Sequence, residues 1–273
     1  MTDSYIRLLP FSDHLLGISA LFYNNRKFYL HLQMKALAGT EQTVQYSTVD
    51  LIHWREDNVM LTGLSYECPG VFLGNIQSTT CCAYDGDGKV YLASVRGCGN
   101  ETIVSLPFEK HEDEKGLRPP ARLKDLRVWK REWKYVKLQK SFKQALSFAI
   151  LPSAWPDIRI VEPDQGLDYI SSDQFEVELI IDGGREKCIH FELFGLVFQW
   201  DRERDILIHE CWSCLIDNEL GVLKMHMWID PFGYELLCGD KVFCGISPLD
   251  FKKSIRIEAE GMSANIVCMN VYG

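Results

Sequence analysis

Short runs of alternating apolar and polar residues, separated by turn residues, recur along most of the chain. The clearest is Phe-Glu-Val-Glu-Leu-Ile-Ile-Asp at residues 175–182. A period of two is typical of a strand with one face on a core and the other in water. Helical periodicity does not extend beyond about three turns anywhere in the sequence. The sequence therefore predicts an all-β protein.

The runs in the N-terminal half are short and follow one another closely. They lie at residues 20–23, 28–33, 43–47, 70–75, 90–95 and 128–137. Turn sequences stand between them, such as Asn-Asn-Arg-Lys at residues 24–27 and Asp-Gly-Asp-Gly at residues 85–88. This order of strands and turns indicates antiparallel hairpins.

The C-terminal part has a cleaner strand pattern. Beyond residue 174 roughly seven or eight short strands follow one another, which is the pattern of a two-sheet antiparallel β-sandwich. Three prolines and one glycine punctuate residues 151–170, and we interpret that stretch as a linker. The predicted domains are an N-terminal domain at residues 1–150 and the sandwich at residues 171–273.

The charge of the chain excludes some classes of partner. Its 273 residues carry a formal net charge of -9, and the isoelectric point is about 5.3. Nucleic acids and anionic membranes both favour clustered lysine and arginine. We therefore expect neither nucleic acid nor a membrane as partner.

The N-terminal residues and the apolar runs bear on location. Residues 1–14 form neither a basic segment nor a continuous apolar segment, and the sequence has no apolar run near the roughly 20 residues that span a bilayer. We expect a cytoplasmic protein on these grounds.

The ten cysteines do not form a recognisable metal motif. Cys211 and Cys214 are spaced like half of a zinc site, but the sequence offers no second pair at ligand spacing. We expect the cysteines to act as small buried apolar residues, with no bound metal and no cofactor.

Three segments resemble one enzyme family. Residues 227–241 read Met-Trp-Ile-Asp-Pro-Phe-Gly-Tyr-Glu-Leu-Leu-Cys-Gly-Asp-Lys, residues 20–33 read Ala-Leu-Phe-Tyr-Asn-Asn-Arg-Lys-Phe-Tyr-Leu-His-Leu-Gln, and residues 47–54 read Ser-Thr-Val-Asp-Leu-Ile-His-Trp. In their order along the chain they resemble segments of glycoside hydrolase family 32, which contains invertases, sucrose-6-phosphate hydrolases and levanases. The resemblance implies a β-propeller followed by a β-sandwich.

The family's catalytic domain is a five-bladed propeller about twice as long as the segment available here. The resemblance therefore implies a partial, truncated propeller at residues 1–150. Because an incomplete propeller leaves sheet edges uncovered, we predict that this open edge mediates homo-oligomer formation.

The family's catalytic residues are only partly matched. A retaining glycosidase needs two carboxyl groups about 5–5.5 Å apart. The family's nucleophilic aspartate aligns with Gly17, which has no carboxylate, and Asp13 lies close in sequence but in another register. The family's second aspartate, which contacts the sugar, aligns with Asp125. The alternative interpretation is that Asp125 is only a turn residue at the start of a strand.

The family's acid/base glutamate stands in a Glu-Cys-Pro sequence. Glu67 stands in the same tripeptide but before the second blade, which is too early in the family's order. Either a shortened propeller has joined distant blades and Glu67 is the acid, or the tripeptide is a coincidence in a loop. For sugar binding, the resemblance implies Gln33 and Asp125, and Trp54 offers an aromatic ring.

Three hypotheses follow. The first is a β-fructosidase-like protein without the family's hydrolase activity, which binds a carbohydrate of the sucrose or fructan type. The second is an active glycosidase with a rearranged site that uses Asp125 and Glu67. The third is a structural or interaction protein with no sugar ligand.

Overall fold

Strands form nearly all the secondary structure of the computed structural model, and its described residues contain no α-helix. The structure describes residues 15–35, 39–51, 53–57, 66–67, 72–74, 79–85, 87–96, 102–111, 116–127, 130–138, 141–145, 174–209, 212–216, 221–239, 241–247, 254–259 and 263–273. The prediction of an all-β protein is thus confirmed. Among these residues no helix is long and apolar enough to cross a membrane.

The elements are as follows. The strands in chain order are β1 (Leu15–Asn24), β2 (Lys27–Lys35), β3 (Glu41–Thr48), β4 (Arg55–Asp57), β5 (Tyr66–Glu67), β6 (Phe72–Gly74), β7 (Thr79–Tyr84), β8 (Gly88–Arg96), β9 (Thr102–Val104), β10 (Phe108–His111), β11 (Lys130–Lys137), β12 (Ser141–Ala145), β13 (Phe175–Asp182), β14 (Cys188–Leu193), β15 (Leu196–Asp201), β16 (Ile206–His209), β17 (Trp212–Leu215), β18 (Val222–Ile229), β19 (Gly233–Cys238), β20 (Lys241–Ile246), β21 (Ser254–Ala259) and β22 (Asn265–Tyr272). A short 3₁₀ helix, Ala121–Leu126, precedes β11.

The chain divides into two units. Unit 1 takes its described residues from Met1–Leu126, Phe232–Glu235 and Asp240–Ile246, and unit 2 takes the remainder, from Arg127–Pro231, Leu236–Gly239 and Ser247–Gly273. The predicted linker at residues 151–170 lies outside the described residues.

Unit 1 begins with a four-stranded antiparallel sheet in the order β1-β2-β3-β4. Its first hairpin turns at Asn25 and Arg26, whose φ angles are 49° and 63°. Two consecutive residues with positive φ give the two-residue turn whose twist matches that of the flanking strands. The turn predicted at residues 24–27 therefore sets the pairing of β1 with β2.

A second sheet of unit 1 has the order β10-β8-β7-β5, with β9 also paired to β8. In addition, β20 pairs in parallel with β6. The core of unit 1 consists of apolar side chains from the first two strands of the first sheet and from β7 and β8 of the second, together with Leu51 and Val104. One face of the β1–β4 sheet is therefore fixed on a core.

Unit 2 contains two antiparallel arrangements of strands. One has the order β11-β22-β13-β18, and the other has the order β12-β21-β14-β15-β16-β17. Large aromatic side chains such as Trp200, Phe191 and Phe198 are fully buried there. None of the sheets formed by the described strands closes on itself.

A tight turn after β13 is bound to the segment before β22. Gly184 has a φ of 55°, and a Cβ atom there would lie 2.2 Å from the carbonyl oxygen of Ser263. The Glu186 carboxylate accepts hydrogen bonds from the backbone N–H and the hydroxyl of Ser263, at 2.8 and 2.7 Å. The turn thus requires glycine both for its backbone angle and for the close approach.

Candidate functional site

The β1–β4 sheet carries polar and aromatic side chains on the face opposite the core, which we call the polar face. Pairing of the strands sorts these residues into rows. The rows are Gly17, Gln33 and Thr43; then Ala20, His31, Gln45 and Asp57; then Phe22, Tyr29, Ser47 and Arg55. The polar face therefore collects amide, hydroxyl, carboxylate, imidazole and aromatic groups, the groups that bind sugar hydroxyls and sugar ring faces.

Gly17 lies at an irregularity of β1. The register of β1 against β2 shifts between Leu15 and Gly17, and the φ angle of Gly17 is 156°. Residues with a side chain rarely adopt a φ in this range. A Cβ atom at this position would lie 3.4 Å from Ser94 Oγ. The position predicted for the family's nucleophile is thus built for glycine, so an aspartate would need a different backbone there.

Gln33 is the direct partner of Gly17 in the sheet. Its side chain is exposed, and Thr43 follows in the same row on β3. The structure therefore brings Gly17 and Gln33, two of the residues singled out from the sequence, to one place. An exposed amide offers both a donor and an acceptor, which is the chemistry that a pair of sugar hydroxyls needs.

The second row contains a buried hydrogen-bonded chain. His31 Nε2 lies 2.9 Å from Gln45 Oε1, and Gln45 Nε2 donates to Asp57 Oδ2 at 3.2 Å. His31 and Gln45 are only 7% and 4% exposed. Two buried polar side chains thereby satisfy each other, and the chain ends on a carboxylate.

Aromatic rings border the buried chain on the same face. Phe22 and Tyr29 stack with their centroids 5.2 Å apart and their planes 13° apart. Phe22 and His31 also form a T-shaped ring contact, with their centroids 5.3 Å apart and their planes 82° apart. These rings are half-buried, so they give the polar face an apolar margin.

Trp54, predicted as a sugar-stacking residue, has structural contacts. Its ring packs against the core of unit 1, and its indole N–H donates to the carbonyl oxygen of Leu51 at 3.2 Å. Just before β4, the Asp50 carboxylate accepts hydrogen bonds from the backbone N–H and from Nδ1 of His53, both at 2.8 Å.

The remaining predicted site residues are placed as follows. Asp125 is exposed in the 3₁₀ helix. Glu67 lies in β5, where its backbone pairs with Cys81, and its side chain is outside the described part. Asp13 also falls outside the described residues.

Unit 2 contains a charged cluster that the sequence analysis did not identify, which we call the Arg127 network. It consists of Arg127, Glu176, Glu178, His226, Asn270 and Tyr272. Pairing across β13, β18 and β22 places Glu178 opposite both His226 and Asn270, and Glu176 opposite Tyr272. The sheet register, together with Arg127 at the end of the 3₁₀ helix, therefore assembles the cluster.

Arg127 connects the two carboxylates. Its Nε and Nη2 donate to Glu176 at 2.7 and 2.5 Å, and Nη2 also donates to Glu178 at 3.0 Å. The guanidinium lies 3.8 Å from the centroid of the Tyr272 ring. On the other side, His226 Nε2 lies 2.5 Å from Glu176 Oε1. Glu176 is only 7% exposed, so its charge is compensated inside the protein.

The network favours the ionised form of both glutamates. Burial by itself would raise the pKa of Glu176, but hydrogen bonds from Arg127 and His226 outweigh it, and the pKa lies below its usual value. Burial would also raise the pKa of Glu178, but the hydrogen bonds from Asn270 and Tyr272 help to lower it, and the net result is a lowered pKa. Burial first, and then the Glu178 charge, raise the pKa of Tyr272.

The same cluster has the residue types of a metal site. Ligand atoms of Glu176, Glu178 and His226 all lie within 4.8 Å of one another. The Arg127 guanidinium, however, is already bound to both carboxylates. A metal cation would compete with that bound positive charge for the same oxygens. The residues present therefore fit a complete ion-pair network better than a metal centre.

A partial signal for the network was present in the sequence. The Glu-x-Glu alternation in β13 was interpreted as a face in water. That interpretation is wrong for Glu176, because its side chain is buried. Its partners Arg127 and His226 lie 49 and 50 residues away along the chain, so the local alternation could not reveal this burial. A buried glutamate carboxylate requires partners that compensate its charge.

Comparison with known proteins gives matches by structure alone. No protein-family model matches the sequence, and no curated protein matches it. Among solved structures, a β-fructofuranosidase from Schwanniomyces occidentalis is 12% identical, with 96% of this chain and 59% of that chain covered and a TM-score of 0.49.

Two further solved structures are similar in the same way. A sucrose-6-phosphate hydrolase from Lactobacillus gasseri is 10% identical, covering 99% of this chain and 68% of that one, with a TM-score of 0.45. A family GH32 β-fructofuranosidase from Bombyx mori is 11% identical, covering 92% and 64%, with a TM-score of 0.43. The chain thus spans 59% of the Schwanniomyces protein and 64% of the Bombyx protein. Each of these likenesses is one of structure, at 10–12% sequence identity.

Proposed function

We propose that the chain is a β-fructosidase-like protein that binds a carbohydrate of the sucrose or fructan type on the polar face and does not hydrolyse it. The architecture in this proposal is a truncated propeller followed by a β-sandwich. The observation that carries the proposal is the pairing of Gly17 with Gln33. Gln33 offers an amide to a sugar. Gly17 aligns with the family's nucleophile and has no carboxylate.

The requirements of the chemistry support the proposed absence of hydrolysis. A retaining glycosidase forms a covalent ester with one carboxylate and takes a proton from a second carboxyl group of raised pKa. Gly17 cannot form the ester, and its φ of 156° is one that residues with a side chain rarely adopt. The glutamate pair described in unit 2 has lowered pKa values on both members, so neither holds a proton for a leaving group near neutral pH.

Binding is supported by the composition of the polar face. Gln33 is exposed beside Thr43, and Asp57 lies at the far end of the neighbouring row. The Phe22 and Tyr29 rings stand on the same face. Small polar groups combined with ring faces are the usual means by which a protein surface holds a neutral, hydroxyl-rich ligand.

Two assays on the purified protein test the proposal. Calorimetric titration with sucrose should give dissociation constants in the millimolar range, weakened by Gln33→Ala. Gln42→Ala is the matched control, because Gln42 is exposed on the same sheet but projects from the opposite face. Equal weakening by both variants, or no heat at all, contradicts binding at the polar face and favours a structural or interaction role.

The second assay measures fructose released from sucrose, inulin and levan. The wild-type protein should release no more than the Asp125→Ala/Glu67→Ala double variant. Release that exceeds the double variant would contradict the proposal and would establish a glycosidase with a rearranged site that uses those two residues.

A further inference from the structure

The hydrogen bonds that join His31, Gln45 and Asp57 have a defined donor and acceptor at each step. The Asp57 carboxylate only accepts hydrogen bonds, so the group that Gln45 turns towards it at 3.2 Å is its amide NH₂. The Gln45 carbonyl oxygen then faces His31 Nε2 at 2.9 Å. An oxygen can only accept there, so Nε2 must carry a hydrogen. In a neutral imidazole the other nitrogen, Nδ1, is then an acceptor.

The location of this acceptor links it to the proposed site. His31 and Gln33 are two residues apart on β2 and therefore project from the same face of the sheet. His31 is 7% exposed, and its ring makes a T-shaped contact with the Phe22 ring. Among the described residues, no hydrogen-bond donor is bound to Nδ1. The face therefore offers a fixed acceptor beside the exposed amide of Gln33.

We infer that His31 is a binding residue of the polar face, held as the Nε2–H tautomer by Gln45 and Asp57, and that its Nδ1 accepts a hydrogen bond from a hydroxyl of the bound sugar. This inference rests on the proposed function, since it names the group that recognises the ligand. Asp57 acts through Gln45 and is a positioning residue. The ligand class that this arrangement takes is a neutral sugar with a free hydroxyl at the Gln33 end of the face.

Nitrogen-15 NMR of the histidine side chains in the full chain tests the tautomer directly. The measurement is made near pH 8, above the ordinary histidine pKa of about 6.5, with signals assigned by His31→Gln and His209→Gln. His31 should show a protonated Nε2 and an unprotonated Nδ1. His209 is the internal control with the opposite result, because its Nδ1 lies 2.7 Å from the Val197 carbonyl oxygen and must donate. A protonated Nδ1 on His31 overturns the inference.

Titration with sucrose then tests the acceptor. The His31 Nδ1 signal should move in the direction of hydrogen-bond acceptance, while the His209 signals stay in place. If sucrose binds by calorimetry and Nδ1 does not move, the inference fails and the proposed function stands. If sucrose does not bind at all, both the proposed function and the inference fail.

Asp57→Asn tests the positioning role. An asparagine at this position can donate as well as accept, so it no longer dictates which end of the Gln45 amide faces it. His31 should then populate both tautomers. Sucrose affinity should fall roughly fivefold, the scale of one net hydrogen bond. Glu56→Gln is the matched control, because it also removes one negative charge from the adjacent position. The Glu56 side chain is exposed and accepts a hydrogen bond from the Tyr46 hydroxyl. An unchanged His31 tautomer in Asp57→Asn, or an equal loss of affinity in both variants, would overturn the positioning role.

Discussion

Arg127→Met should destabilise the protein strongly at neutral pH. Methionine keeps an unbranched apolar side chain of similar reach but removes the guanidinium that binds both Glu176 and Glu178. Glu176, at 7% exposure, would then be a buried carboxylate supported by His226 alone. Breaking a buried ion pair by removing one partner costs about 3–5 kcal/mol. Because Arg127 is 19% and Glu178 34% exposed, solvent screening reduces this to about 3 kcal/mol.

Urea unfolding followed by tryptophan fluorescence measures this loss. With a slope near 2 kcal/mol per molar urea, the midpoint should fall by about 1.5 M. Lys134→Met is the matched control, because Lys134 is 56% exposed in its pair with Glu132. Its removal should cost less than about 1 kcal/mol.

The pH dependence and a double-mutant cycle identify the cause. Folding lowers the pKa of Glu176 and of Glu178, so their stabilisation is complete above the unfolded glutamate pKa of about 4.3 and is lost as the pH falls through the folded values. Arg127→Met should shrink this loss on acidification. Combined with Glu176→Gln, it should cost at least about 1 kcal/mol less than the sum of the single changes. A neutral-pH loss no larger than that of Lys134→Met, or strictly additive costs, would refute the reasoning.

Two further substitutions test local features of the fold by urea unfolding. Gly184→Ala should cost more than about 2 kcal/mol, because it combines an unfavourable backbone angle with a Cβ position 2.2 Å from a backbone oxygen. Gly239→Ala, with φ 64° and open space around it, should cost only about 1 kcal/mol, and equal costs would contradict the steric argument. Ser105→Ala should cost about 1–3 kcal/mol, because the buried Ser105 Oγ accepts from the backbone N–H of Ala93 at 2.9 Å. The exposed Ser213→Ala should stay within about 0.5 kcal/mol, and a Ser105→Ala cost in that range would show that the bond does not stabilise the fold.

Local sequence patterns predicted the elements well where the structural cause is local. The alternation in residues 20–33 and the intervening turn predicted the β1–β2 hairpin, and hairpin pairing then placed Gly17 beside Gln33. The two register shifts in β1 were not predicted, because a bulge leaves the alternation almost unchanged. The positive φ of Gly17 arises at one of these irregularities.

The Arg127 network could not be predicted, because its contacts join distant parts of the chain. Tyr272 donates to Glu178 across 94 residues of sequence. The alternation in β13 showed that the two glutamates share a face but not that this face is partly covered. Similarly, the sequence could not predict the hydrogen bonds that link His31 to Gln45 and Gln45 to Asp57. They depend on the register of β2, β3 and β4.

Saturation-transfer NMR of sucrose, recorded repeatedly over days on one sample with the protein, tests the central claim most directly, because it detects binding and cleavage together. We expect transfer from the wild-type protein to the sucrose protons, markedly reduced transfer with Gln33→Ala, and no growth of free fructose signals in either sample. Growth of free fructose with the wild-type protein, or sucrose protons that receive no saturation from it, would contradict the account.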